Sequence, residues 1–268
     1  MNQTNHESPN LSMNQQAYVA KVKKQHHIVI LARVLILIAF LGLWECATYY
    51  KWIDSFFYSS PSKLVTTFWK MAQDYSIFIH TGITLWETLI SFALVTVISL
   101  LVAMLLWYCK QLSHIVEPYF IMLNSLPKSA LAPLLIVWLG TGMKTIIVAG
   151  VSVAIFGSIM TLYTGFMQMD AEQEKLIYTL GGNRFDILTK IMIPGTIPII
   201  LSNMKVNIGL CLVGVIIGEF LAARNGLGYL IIYSSQVFQL DQLILAIVIL
   251  CIIAYFLYEI ICFFEQRD

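Results

Sequence analysis

Charge is what this sequence has least of. Asp, Glu, Lys and Arg make up 12% of its 268 residues, against about 25% in a soluble domain. With 59% of residues hydrophobic and a mean hydropathy of +0.78, the shortage excludes a water-soluble fold and identifies an integral membrane protein. An excess of either sign is also missing. Sixteen Lys and Arg against fifteen Asp and Glu leave a net charge of +1, which excludes a basic nucleic-acid surface. Paired cysteines are absent. Cys46, Cys109, Cys211, Cys251 and Cys262 form no CxxC, so metal and redox roles are set aside and the five are read as small buried apolar residues. There is no G-x-x-x-x-G-K-[ST] nucleotide loop. The nearest sequence, Gly140-Thr141-Gly142-Met143-Lys144-Thr145, lacks an adjacent Gly-Lys and reads as a tight turn. No His/Asp/Glu or Ser/His/Asp set falls at a common depth, which argues against a membrane-embedded enzyme. His80 and His114 flank one apolar run at opposite ends and cannot share a metal.

What is present is long apolar runs. A helix needs about 20 apolar residues to cross a bilayer, and six segments qualify or nearly do: 28–49, 82–107, 117–139, 144–166, 195–218 and 241–263. The first is too long for a signal-peptide core and is read as a retained span. The polar head, 1–27, predicts a disordered cytoplasmic tail, ahead of a transmembrane domain over 28–268. The third segment is interrupted by Asn124, Pro127, Lys128 and Pro133, and broken backbone at membrane depth must line a wet cavity or a subunit contact. Lys21, Lys23, Lys24 and Arg33 place the N-terminus in the cytoplasm. Six crossings then put Lys110, 170–190 and Arg267 inside, 50–80, 140–143 and 219–240 outside, and both termini in the cytoplasm of a plasma-membrane protein. In 62–75, Leu64, Val65, Phe68, Trp69 and Ala72 recur at helical spacing, predicting a surface helix along the lipid.

One stretch reverses the composition. Between apolar runs, 170–190 carries Asp170, Glu172, Glu174, Lys175, Arg184, Asp186 and Lys190. Asp170 and Gln173 have the spacing of an N-cap pair, and Glu172 and Glu174 suit the first turns of a helix. Leu176, Ile177 and Leu180 form an apolar stripe. Gly181-Gly182 ends that helix, and Asn183 caps a second with Ile187, Leu188 and Ile191 on its apolar face. Pro194 is expected to stop this helix, and Pro198 to open the next span. The alternative is a solvated connecting loop, which would not need two sets of caps. A capped helix pair outside the bilayer is a shape that docks into a partner's groove.

These residues resemble the coupling loop of ABC importer permeases, in which Glu-Ala-Ala is followed by Gly and then an apolar-Pro pair. Gly181 and Ile193-Pro194 match; Lys175-Leu176-Ile177 stands in place of Glu-Ala-Ala. Other motifs are similar to permeases of the nitrate, sulfonate and taurine type: Leu43-Trp44-Glu45; Ser60-Pro61-Ser62; 126–134 with Trp138-Leu139-Gly140-Thr141-Gly142; and Gly218-Glu219-Phe220 with 225–231. The second span departs, with Trp86-Glu87-Thr88 where the family has an arginine-bearing segment. The resemblance covers about residues 30–268. It implies an all-α, polytopic fold of six transmembrane helices, like the methionine-importer permeases, with a coupling loop at about 170–193. It implies a translocation path for a sulfonate, taurine, nitrate or vitamin precursor. The implied partners are a second permease copy, two ABC ATPases carrying ATP and Mg, and an extracytoplasmic binding protein. No cofactor is implied for this chain. The contact residues implied are Asp170, Glu172, Glu174, Lys175, Leu176, Leu180, Gly181, Gly182, Asn183, Arg184 and Pro194.

Ionisable residues inside apolar runs are functional candidates. Lys128, between Pro127 and Pro133, either lines the path or snorkels to the interface. Glu219 either gates the path or caps backbone N–H groups. Glu87 and Glu117 are placed at span ends, and Lys205 is expected to pair with an acid on a neighbouring span. An ion-coupled secondary carrier is the competing function. Against it stand the lack of a visible repeat and the expectation of no acid at mid-span.

Overall fold

The computed structural model describes residues 13–169 and 171–265. Every regular element among them is helical: α1 (Met13–Tyr49), α2 (Ser55–Tyr58), α3 (Pro61–Gln73), α4 (Ser76–Tyr108), α5 (Lys110–Ser125), α6 (Lys128–Leu139), α7 (Met143–Met167), α8 (Ala171–Thr179), α9 (Arg184–Ile187), a π-helical turn (Leu188–Met192), α10 (Ile193–Ala222), α11 (Leu227–Gln236) and α12 (Leu240–Glu265). The chain divides into two compact units, Met1–Lys63 and Leu64–Asp268.

In the first unit the helix begins at Met13, so 13–27 departs from the disordered tail expected of it. Those residues include Ala, Gln and Lys, contain no Pro or Gly, and favour helix; 1–12 lie outside the described residues. After α1, Glu45 accepts from the Ser62 hydroxyl at 2.8 Å and the Ser62 N–H at 3.1 Å, which ties two of the sequence motifs together. The amphipathic stretch 62–75 is helical, as α3. Its buried residues are Leu64 and Met71, while Val65 and Trp69 are exposed.

The second unit is built on α4, α7 and α10, with α10 packed most extensively on α7. Small residues bring these backbones together. A side chain at Gly214 would meet the Gly150 Cα at 2.8 Å, and one at Gly218 would meet the Ile146 Cα at 2.9 Å. Gly214 and Gly218 form the small-xxx-small spacing that permits such approach in membranes. Polar side chains add directional contacts. Ser158 donates to Ser99 at 2.8 Å and accepts from the amides of Asn203 and Asn207, each at 2.8 Å, joining α4, α7 and α10. Ser91 donates to the Glu87 carbonyl at 2.8 Å and reaches the Ile147 carbonyl at 3.3 Å. Lys205 is paired with Glu265, the neighbouring-span acid expected for it. Of the cysteines, Cys211 is buried while Cys46, Cys109 and Cys251 are exposed, all free. Three therefore do not fill core positions.

Among the described residues, five helices are long and apolar enough to cross a membrane, and a sixth crossing is formed if α5 and α6 are one broken span. The third segment, 117–139, is thus broken as its prolines lead one to expect, into two helices bent by 96°. Leu126 is extended (φ −64, ψ 136), as sterics require of a residue before proline, and Pro127 follows it at the break.

Candidate functional site

Three regions collect the candidate residues. The first is the charged island. Glu172 and Glu174 lie in the first turn of α8, where their charge faces the positive end of the helix dipole. Asp170, the proposed cap, lies outside the described residues. The helix ends in a Schellman motif: Gly182 N–H donates to the Ile177 carbonyl at 2.9 Å, Gly181 N–H to the Tyr178 carbonyl at 3.1 Å, and Gly181 has φ +80. Asn183 then caps α9. Its side chain accepts from Phe185 and Asp186 N–H, and Asp186 returns a bond to the Asn183 N–H, a full capping box. Lys190 pairs with Asp186 at 2.7 Å. The Asn-x-x-Asp spacing of this box, Asn183 to Asp186, is its signature in the sequence.

Pro194 does not stop the second helix. α9 passes through the π-helical turn into α10, so that 184–222 is one 39-residue element. Proline has no N–H and its ring crowds the carbonyl four residues back. The wider turn absorbs that defect, with Ile193 N–H donating to the Leu188 carbonyl five residues back. The first-turn proline of α10 is therefore Pro194, not Pro198.

The inner face of this element is anchored. Ile187 and Met192 are fully buried, and Met192 packs with Leu106, Leu162 and Phe166. Arg184 donates to the Tyr108 carbonyl at 3.1 Å, at the end of α4, and lies 5.7 Å from the centre of the Tyr108 ring. The exposed apolar side chains of the island lie on both sides of its turn: Leu176 on α8 is 57% exposed, Leu180 just past the end of α8 75%, and Phe185 on α9 65%. Lys175 and Asn183 are exposed beside them. A cavity of about 170 Å³ lies under the island, lined by Trp107, Lys110, Phe166, Glu174 and Arg184 among others.

The second region is the break between α5 and α6. The Lys128 ammonium donates to the carbonyls of Leu123 and Asn124, closing the last turn of α5, whose carbonyls have no helical partner. Its half-buried stem bridges the bend. Pro127 and Pro133 are exposed, as are Val137 and Trp138.

The third region surrounds Glu219, which is 1% exposed. Its carboxylate accepts from the Thr84 hydroxyl at 2.7 Å, from Gly228 N–H at 2.6 Å and from Tyr229 N–H. Thr84 in turn accepts Leu227 N–H at 2.8 Å, and His80 Nδ1 accepts Gly226 N–H at 3.0 Å. The unpaired N–H groups that open α11 are thus taken up by side chains of α4 and α10. Gly226 (φ +118) and Gly228 lie so close to the carboxylate that a side chain on either would strike it. Glu87 departs from its expected interfacial place. It is 2% exposed, four residues before the buried Ser91 on α4, and hydrogen-bonded to Glu219. Among the described residues no three of His, Cys, Asp and Glu are grouped as metal ligands.

The comparisons with known proteins agree with this architecture. The family model described as "Binding-protein-dependent transport system inner membrane component" matches residues 95–263. A probable ABC transporter permease of Haemophilus influenzae is 27% identical over 231 residues, 86% of this chain and 94% of that protein. A putative aliphatic sulfonates transport permease of Escherichia coli is 22% identical, covering 79% of this chain and 81% of its own length. Among solved structures, an inward-facing methionine ABC transporter aligns over 73% of this chain and 97% of its own chain, with a TM-score of 0.66 at 16% identity.

Proposed function

Since this chain belongs to the binding-protein-dependent transport system inner membrane components, and is thus the permease subunit of an ABC importer, we propose that it carries a small polar or anionic solute. The solute would be of the sulfonate, taurine, nitrate or vitamin-precursor kind. We propose too that 170–193 couples it to a separate ATPase. Two permease copies form the path, two cytoplasmic ATPases supply ATP and Mg, and an extracytoplasmic binding protein delivers the solute. The island and both termini face the cytoplasm.

One observation carries the coupling. The island ends in exposed Leu176, Leu180 and Phe185, while its far end is continuous with α10. A groove that grips the apolar face therefore holds an element reaching the full length of α10, about 58 Å at 1.5 Å per residue over its 39 residues. The exposed, proline-broken α5–α6 segment supports a second copy, since such backbone is not left against lipid. Lys128 and Glu219 already serve backbone groups, which favours positioning over direct contact with solute.

The test is co-purification. Leu180→Glu and Phe185→Glu each place a charge in an apolar contact, so the ATPase should be lost from the purified permease while membrane insertion is kept. Retention of the ATPase by the double variant would end the docking role of this face.

A further inference from the structure

The pairing of Glu87 with Glu219 is unusual chemistry for the inside of a membrane protein. Two carboxylates in hydrogen-bond contact and out of water cannot both be charged, because like charge and lost hydration both oppose it. Something positive must lie between them. Gly226 and Gly228 close the α11 side of the Glu219 carboxylate, and both acids are at least 98% buried. With the two carboxyls in direct contact and shut off from water, a proton is the positive charge that fits between them.

We propose that Glu87 and Glu219 hold one proton between them, as a neutral acid on Glu87 bonded to a carboxylate on Glu219, and that this unit latches the first turn of α11 to α4 and α10. The donors decide which acid is neutral. Glu219 accepts from Thr84, Gly228 and Tyr229, three donors that favour a charged acceptor, and two of them come from the opening turn of α11, the positive end of its dipole. Glu87 has no such set, and its Oε2 is buried without any partner. As a charged group that atom would be costly to bury; as the carbonyl of a neutral acid it is tolerable. The proton of Glu87 is then a further donor to Glu219. The latch is completed by Leu227 on Thr84 and Gly226 on His80. Loss of the proton to water would leave two facing carboxylates, and the first turn of α11 would separate from the pair that holds it.

The other groups at this junction are His80 on α4, stacked on Tyr229 of α11. On α7, Ile146 and Ala149 face the neighbouring Gly218, and Arg224 before α11 is exposed. His80 accepts Gly226 N–H on Nδ1, so its protonation in acid loosens the junction in the opposite sense. That effect is common to the wild type and to a Glu87 variant.

The experiment is a pH series on the full chain in lipid nanodiscs, comparing wild type with Glu87→Gln. Above the ordinary carboxylate range, about 4.3 for Glu, the native state holds one proton more than the unfolded chain. Stability therefore falls as pH rises. The apparent melting temperature of wild type should drop by about 5 °C between about pH 6 and about pH 8.5. Glu87→Gln, whose amide donates the same bond without titrating, should lose that slope and be at least as stable at the alkaline end. An equal slope in both proteins overturns the proposal. Infrared spectroscopy of the wild type alone gives a second readout, independent of how the variant folds. The carbonyl band of a neutral carboxylic acid should be present near neutrality and fade in alkali. Its absence near neutrality overturns the shared proton.

Discussion

At the scale of single residues, several polar side chains of this protein bond to helix ends or to one another. Arg184 closes the end of α4, Lys128 the end of α5, and Glu219 the start of α11. Ser158 is the densest case, with one donated and two accepted bonds in the core. Interhelical hydrogen bonds in membranes average about 0.6 kcal/mol, so three together are worth about 2 kcal/mol. Ser158→Ala should lower the apparent melting temperature accordingly, and Asn203→Ala should do less because it removes one bond from the cluster. Equal effects would show that the cluster does not act through Ser158. Outside the spans, Ser76 donates to Asp74 through its hydroxyl at 2.6 Å and its N–H at 3.0 Å. These two bonds hold the Asp74 carboxyl below its usual range. Sequence patterning recovered Lys205 as half of an ion pair and Asn183 as a cap. It missed Glu87, because a residue's position along a helix says nothing of which neighbour it faces.

At the scale of elements, the island is the clearest example of local chemistry setting structure. Glycine at a positive φ, two main-chain bonds around it and an Asn cap immediately after define the turn between α8 and α9. Gly181 has open space around it, so Gly181→Val introduces no clash. The valine must still take a left-handed conformation, at a cost of about 1–2 kcal/mol. The expected outcome is a protein that inserts normally and hydrolyses ATP with its partner but transports poorly. Normal uptake by this variant would mean that the angle between α8 and α9 is not what transmits motion. Pro194 shows the limit of local rules. A proline after a short helix reads as a stop, yet one π-helical turn lets the helix continue.

At the scale of the molecule, the proposed coupling to an ATPase and a binding protein would make uptake depend on ATP, even though two acids lie buried in its spans. Reconstituted with its ATPase and binding protein, the chain should show solute-stimulated ATP hydrolysis and no uptake driven by an ion gradient alone. Gradient-driven uptake by the purified chain without ATP would restore the secondary-carrier reading.

Composition alone determined that this is a helical membrane protein, because a chain with so little charge must satisfy its backbone internally. Local spacing determined the turn at Gly181-Gly182, since caps act over a few residues. Only the tertiary structure decided that 117–139 is a bent pair, that 184–222 is continuous, and that Glu87 faces Glu219. Those depend on which residues distant in the chain come together, and α7 and α10 meet through glycines whose close approach is a property of both helices at once.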